Sequence, residues 1–104
     1  SRQSTVKSAG WHGQRKDLLR EHTRIKKATA QLEKDIEGIE KKISSINELF
    51  NNNSDFSEEN LKNLNEKQKE KADFEQELEN MLKRWENSNL ECQRLENEFP
   101  EILS

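Results

Sequence analysis

His12, His22 and Cys92 are the side chains of this 104-residue chain best suited to ligating a metal or activating a bond. Histidine titrates near neutral pH and binds metals, and a thiolate is both nucleophile and ligand. The two histidines stand ten residues apart, with no cysteine or carboxylate at a spacing that builds a tetrahedral site. No metal and no cofactor is therefore expected. His22 lies on an apolar stripe, where it reads as a polar layer of a core. Cys92 sits at a comparable position and reads as a small buried hydrophobe, since a catalytic thiol needs a partner base and a pocket. There is no glycine-rich phosphate loop and no Ser/His/Asp set. The carboxylates are spread along a solvated face with no cleft between them, so the chain is expected not to be an enzyme.

The elements that carry these residues are written in the hydrophobic spacing. Trp11, Arg15, Leu18, His22, Ile25, Thr29, Leu32, Ile36, Ile39, Ile43, Ile46 and Phe50 follow one another at alternating steps of four and three. Such a frame predicts a coiled-coil helix over residues 11–50, about 60 Å long at 1.5 Å per residue. Gly38 falls off the seam and breaks no layer of it. "NNNSDFS", residues 51–57, favours turn conformations, because Asn, Ser and Asp side chains compete for backbone hydrogen bonds. Ser57 is a candidate N-cap, Glu58 and Glu59 suit the positive end of a helix dipole, and Phe56 with Leu61 could form a hydrophobic staple. A second helix is expected over 58–99, with Leu64, Lys67, Lys71, Phe74, Leu78, Met81, Trp85, Ser88, Cys92, Leu95 and Phe99 on its seam. Pro100 should stop it, leaving a tail over 100–104. Residues 1–10 are small, polar and aperiodic, and read as a disordered lead-in.

Folding the chain back at Asp55 makes the position numbers of facing residues add to 110. Trp11 then meets Phe99, Leu18 meets Cys92, His22 meets Ser88, Ile25 meets Trp85, Thr29 meets Met81, Leu32 meets Leu78, Ile36 meets Phe74 and Ile46 meets Leu64. Two layers clash with this register, Ile39 against Lys71 and Ile43 against Lys67, and a stutter bringing Gln68 and Ala72 inward would relieve them. The expected fold is all-α: two long helices in an antiparallel coiled-coil hairpin, closed on itself, paired into a four-helix bundle, or exchanged in a swapped dimer.

Composition bounds the function. Charged residues make up 38% of the chain and the net charge is −3, which gives no general preference for polyanions. Residues 1–50 hold 11 Lys or Arg against 7 Asp or Glu, and residues 51–104 hold 7 against 14, so antiparallel packing sets unlike halves together. A single cysteine excludes an internal disulfide and points to a reducing, intracellular setting, cytoplasmic or cytoskeletal, with the nucleus also open. No apolar run is long enough for membrane insertion. Leu19, Leu61, Leu82 and Leu90 lie off the seam and are candidates for a dimer or partner face. Arg20, Lys27, Lys34 and Lys41 recur every seven residues and form a candidate strip for an acidic partner, though no aromatic residues interleave to stack on bases, so nucleic acid is not the favoured partner.

The function that follows is a non-enzymatic scaffold or oligomerisation module within a larger protein, binding protein partners and itself as a homodimer. Two other classes fit the same pattern: a regulatory helical hairpin gripped by a switch protein such as a small GTPase, and a stalk in a chromosome- or DNA-associated protein.

Overall fold

In the computed structural model the backbone is described for residues 2–103 and side chains for residues 13–103; the side chains of the expected lead-in, of Trp11 and of His12 lie outside the described residues. Helix α1 (Arg2–Asn51) and helix α2 (Glu58–Glu98) pack against each other, and a short helix α3 (Pro100–Leu103) follows. No strand occurs among the described residues. The chain forms an all-α helical hairpin, as the spacing predicts. Two contact units make it up, Ser1–Gln31 with Glu86–Ser104, and Leu32–Trp85.

The start of α2 and the break before α3 have local causes. The Ser57 hydroxyl accepts a hydrogen bond from the Asn60 amide at 3.3 Å, and Asp55 Oδ1 accepts from the Ser57 amide at 2.9 Å, which fixes the start of α2. The Asn60 side chain ties the turn together by donating to Asn53 Oδ1 and to the Asp55 carbonyl, each at 2.6 Å. At the far end, Pro100 opens α3, a first-turn position that needs no amide hydrogen. Gly38 has nothing within 4 Å of the space a Cβ would fill, so it is an open helix position rather than a close crossing.

The seam follows the predicted frame. His22, Ile25, Thr29, Leu32, Ile36, Ile39 and Ile46 are buried along α1, and Leu18 and Ile43 are half-buried. Along α2 Leu95 is buried, while Leu64, Lys67, Lys71, Phe74, Leu78, Met81, Trp85, Ser88, Cys92 and Phe99 are half-buried. Gln68 and Ala72 are exposed, so the expected stutter does not occur; the two lysines remain on the seam, where their methylene stems cover apolar surface. Every described buried side-chain nitrogen and oxygen has a hydrogen-bond partner.

The register differs from the expected one by a heptad. Thr29 faces Ser88, not Met81, with their hydroxyl oxygens 2.5 Å apart. His22 reaches Glu96, Glu33 reaches Trp85, and Lys42 lies over Phe74, so facing position numbers add to 116–118 rather than 110 in both units. The cause is the connection. Residues 52–57 carry the chain onward past the end of α1 before α2 turns back, so the first turns of α2 overhang. Phe56 is accordingly 75% exposed and Leu61 48% exposed, and the expected staple between them encloses no core. The shifted register sets Ile39 opposite Leu78 and Ile43 opposite Phe74, and moves the two lysine layers toward the connection, with Lys71 opposite Ile46 and Lys67 opposite Phe50. A seven-residue shift leaves the heptad frame of each helix unchanged, which is why spacing alone does not distinguish the two registers.

Candidate functional site

The shift assembles a cluster that the expected register kept apart. Cys92 and Glu96 are one turn apart on α2 and share a face. His22 comes from α1, where it is buried on the seam. Its Nε2 lies 2.8 Å from Glu96 Oε1, and the Cys92 thiol donates to the same oxygen at 3.5 Å. The three potential ligand atoms all lie within 4.8 Å of one another.

The electrostatics follow from these contacts. The His22 hydrogen bond, helped by that of Cys92, holds the Glu96 carboxyl below its usual range. Burial first, then the bond to Glu96, pushes the Cys92 thiol up. Lys26, one turn beyond His22, lowers both by its charge. A thiol held protonated is a poor nucleophile, because the thiolate is the reactive species. The cluster braces the two helices through one carboxylate oxygen that both His22 and Cys92 bond.

The expected register sets Cys92 beside Leu18 and leaves His22 without a ligand neighbour. The i, i+4 pair of Cys92 and Glu96 was visible in the chain; what hid the cluster was the register, since a one-heptad shift swings His22 from Ser88 to the Cys92–Glu96 turn. In the neighbouring layer, Thr29 also donates to the Ile25 carbonyl at 2.8 Å.

The outer faces carry the other predicted residues. Arg20, Lys27, Lys34 and Lys41 are all exposed, and Lys41 pairs with Glu37 at 3.3 Å. Arg20 and Lys27 line an open groove with Leu19, Thr23 and Arg24. Leu19, Leu61, Leu82 and Leu90 are exposed as well. Leu19 and Leu90 belong to one unit, Leu61 and Leu82 to the other. On α2 the last two are three heptads apart, about 32 Å along the axis at 1.5 Å per residue.

A family model described as the ABC transporter C-terminal domain matches residues 21–87, well over half of the chain. The chain belongs to this family. The matched region takes in the seam of α1 from His22 onward, the connection, and α2 as far as the layer of Trp85. Cys92 and Glu96 lie beyond its end. No curated protein and no solved structure matches the chain. No helix among the described residues is long and apolar enough to cross a membrane. For a domain whose family is named for ABC transporters, this means that none of these helices is a membrane span.

Proposed function

We propose that this chain is a non-enzymatic coiled-coil module of a larger ABC-type protein, which presents a helical surface to a protein partner in the cytoplasm. The observation that supports this reading is the division of labour across each helix. The seam residues of α1 and α2 are turned toward each other, while the basic positions Arg20, Lys27, Lys34 and Lys41 and the off-seam leucines are left at the surface. The hairpin thus spends its apolar residues on its own closure, and what it offers outward is charge and isolated leucines. The groove lined by Leu19, Arg20, Thr23, Arg24 and Lys27 is open to water, which suits a surface that another protein covers. The family match supports membership in a larger ATP-binding-cassette protein, with nucleotide chemistry supplied elsewhere in that protein.

Self-association is the second reading. Leu19 beside the basic groove and Leu82 on the acidic helix would each be covered in a four-helix bundle, and a swapped dimer would reuse the same seam. Sedimentation equilibrium over a wide concentration range separates the two. A monomer of 12.3 kDa leaves the outer faces to another protein; a stable dimer assigns them to a second copy. Reversing Arg20, Lys27, Lys34 and Lys41 to Glu tests the partner strip. Loss of partner binding with an unchanged melting temperature supports it, and unchanged binding rules the strip out.

A further inference from the structure

We propose that His22, Cys92 and Glu96 form a three-ligand site for a borderline-soft divalent cation, Zn2+ being the best match, with its fourth position open to water. The inference rests on donor chemistry and placement. Imidazole nitrogen, thiol sulfur and carboxylate oxygen are the three zinc-binding side-chain types, and here one of each converges within 4.8 Å. Tetrahedral zinc, with bonds of about 2.0–2.3 Å, needs donors about 3.3–3.7 Å apart. The Cys92 to Glu96 separation of 3.5 Å already meets this, the His22 to Glu96 separation of 2.8 Å has to open, and the His22 to Cys92 pair, within 4.8 Å, has to settle to the same range.

The placement also favours ligation over a chance meeting of polar groups. The His22 side chain is 10% exposed and that of Glu96 36%, so one ligand is fixed in the seam and another keeps a path to water. Two ligands one turn apart on α2 and a third from α1 are the arrangement by which helical pairs build metal sites. Without a cation, the ring N–H of His22 and the thiol of Cys92 both point at Glu96 Oε1. A cation takes the place of those two hydrogens. The Cys92 proton leaves to solvent, the His22 proton moves to Nδ1, and Nε2, Sγ and the carboxylate oxygen each donate a lone pair. Two ligand charges balance the two of the metal, which suits a half-buried position. Binding displaces the thiol proton that now points at Glu96, so metal uptake releases it to solvent. Lys26 is the neighbouring cation that opposes the site and favours the thiolate that completes it.

The test uses Co2+ as a spectroscopic probe on the 104-residue chain, followed by displacement with Zn2+. The expected result is one Co2+ per chain, with a near-ultraviolet thiolate-to-cobalt band, strong visible bands of tetrahedral cobalt, and release of about one proton per metal. Zn2+ should bleach the spectrum and raise the melting temperature. Cys92→Ser should abolish the charge-transfer band. Glu96→Gln, a substitution of a half-exposed residue that leaves the seam intact, should weaken binding by at least about tenfold. Circular dichroism of both variants establishes that they remain helical. No tetrahedral spectrum with the wild-type chain would overturn the proposal. So would a spectrum that survives Glu96→Gln at unchanged affinity, or a stoichiometry of one metal per two chains, which would place the thiolates of two molecules on one ion.

Discussion

Thr29 and Ser88 stand face to face across the helix pair, their hydroxyl oxygens 2.5 Å apart, and this contact fixes which residues every other layer of their unit brings together. The Thr29 hydroxyl is bonded to Ser88 and to the Ile25 carbonyl, so the polar layer satisfies itself inside an apolar seam. Thr29→Val or Ser88→Ala alone should each destabilise the hairpin by about 1 kcal/mol, and the double variant by less than the sum, since removing both partners leaves no orphaned hydroxyl. Urea unfolding of the four proteins measures this coupling; strict additivity would show that the two hydroxyls do not interact.

Ile36 is buried in the unit formed by residues 32–85, and the register sets it opposite Met81. Ile36→Asp places a carboxylate in that apolar layer. A loss of about 3–5 kcal/mol is expected, enough to unfold a helix pair of this size. Ellipticity at room temperature should collapse, whereas Asp at exposed Lys34, two residues away, should leave it nearly unchanged.

Acid should loosen the His22–Glu96 end selectively. The folded carboxyl of Glu96 is held below its ordinary value by the bonds from His22 and Cys92, with Lys26 adding to the effect. A depressed carboxylate contributes stability that is present at neutral pH and lost as the pH falls through its folded value. Glu96→Gln should therefore flatten the acid limb of a stability-against-pH curve and leave the alkaline limb in place. An acid limb identical in the two proteins would show that the carboxylate contributes nothing to folding.

The helices and their inward faces were legible in the spacing of the apolar residues. Each four-three step from Leu18 to Phe50 and from Leu64 to Phe99 marks a residue that is at least half-buried. Ser57 announced the start of α2 by the chemistry of its hydroxyl. The register was not legible from spacing, because frames seven residues apart are equivalent, and a fold point at Asp55 assumed a connection that doubles back tightly. The lysine layers carry no signal of the register either, because the shift moves them from Ile39 and Ile43 to Ile46 and Phe50, where their stems stay on the seam and no stutter replaces them. The His22, Cys92 and Glu96 cluster was hidden for the same reason, since it exists only once the register is right. The outer basic positions Arg20, Lys27, Lys34 and Lys41 were legible as a seven-residue repeat, and all four are exposed.

The register is the central structural claim, and disulfide trapping tests it most directly. With Thr29 opposite Ser88, one turn further along each helix sets Ile25 opposite Cys92. Two cysteines bridge only when their Cα atoms approach within about 7 Å. Under mild oxidation, Ile25→Cys should cross-link rapidly to Cys92, within one chain for a closed hairpin or between two for a swapped pair, while Leu18→Cys should not. Efficient trapping through Leu18→Cys, with Ile25→Cys remaining reduced, would contradict the register and with it the assembly of the His22, Cys92 and Glu96 site.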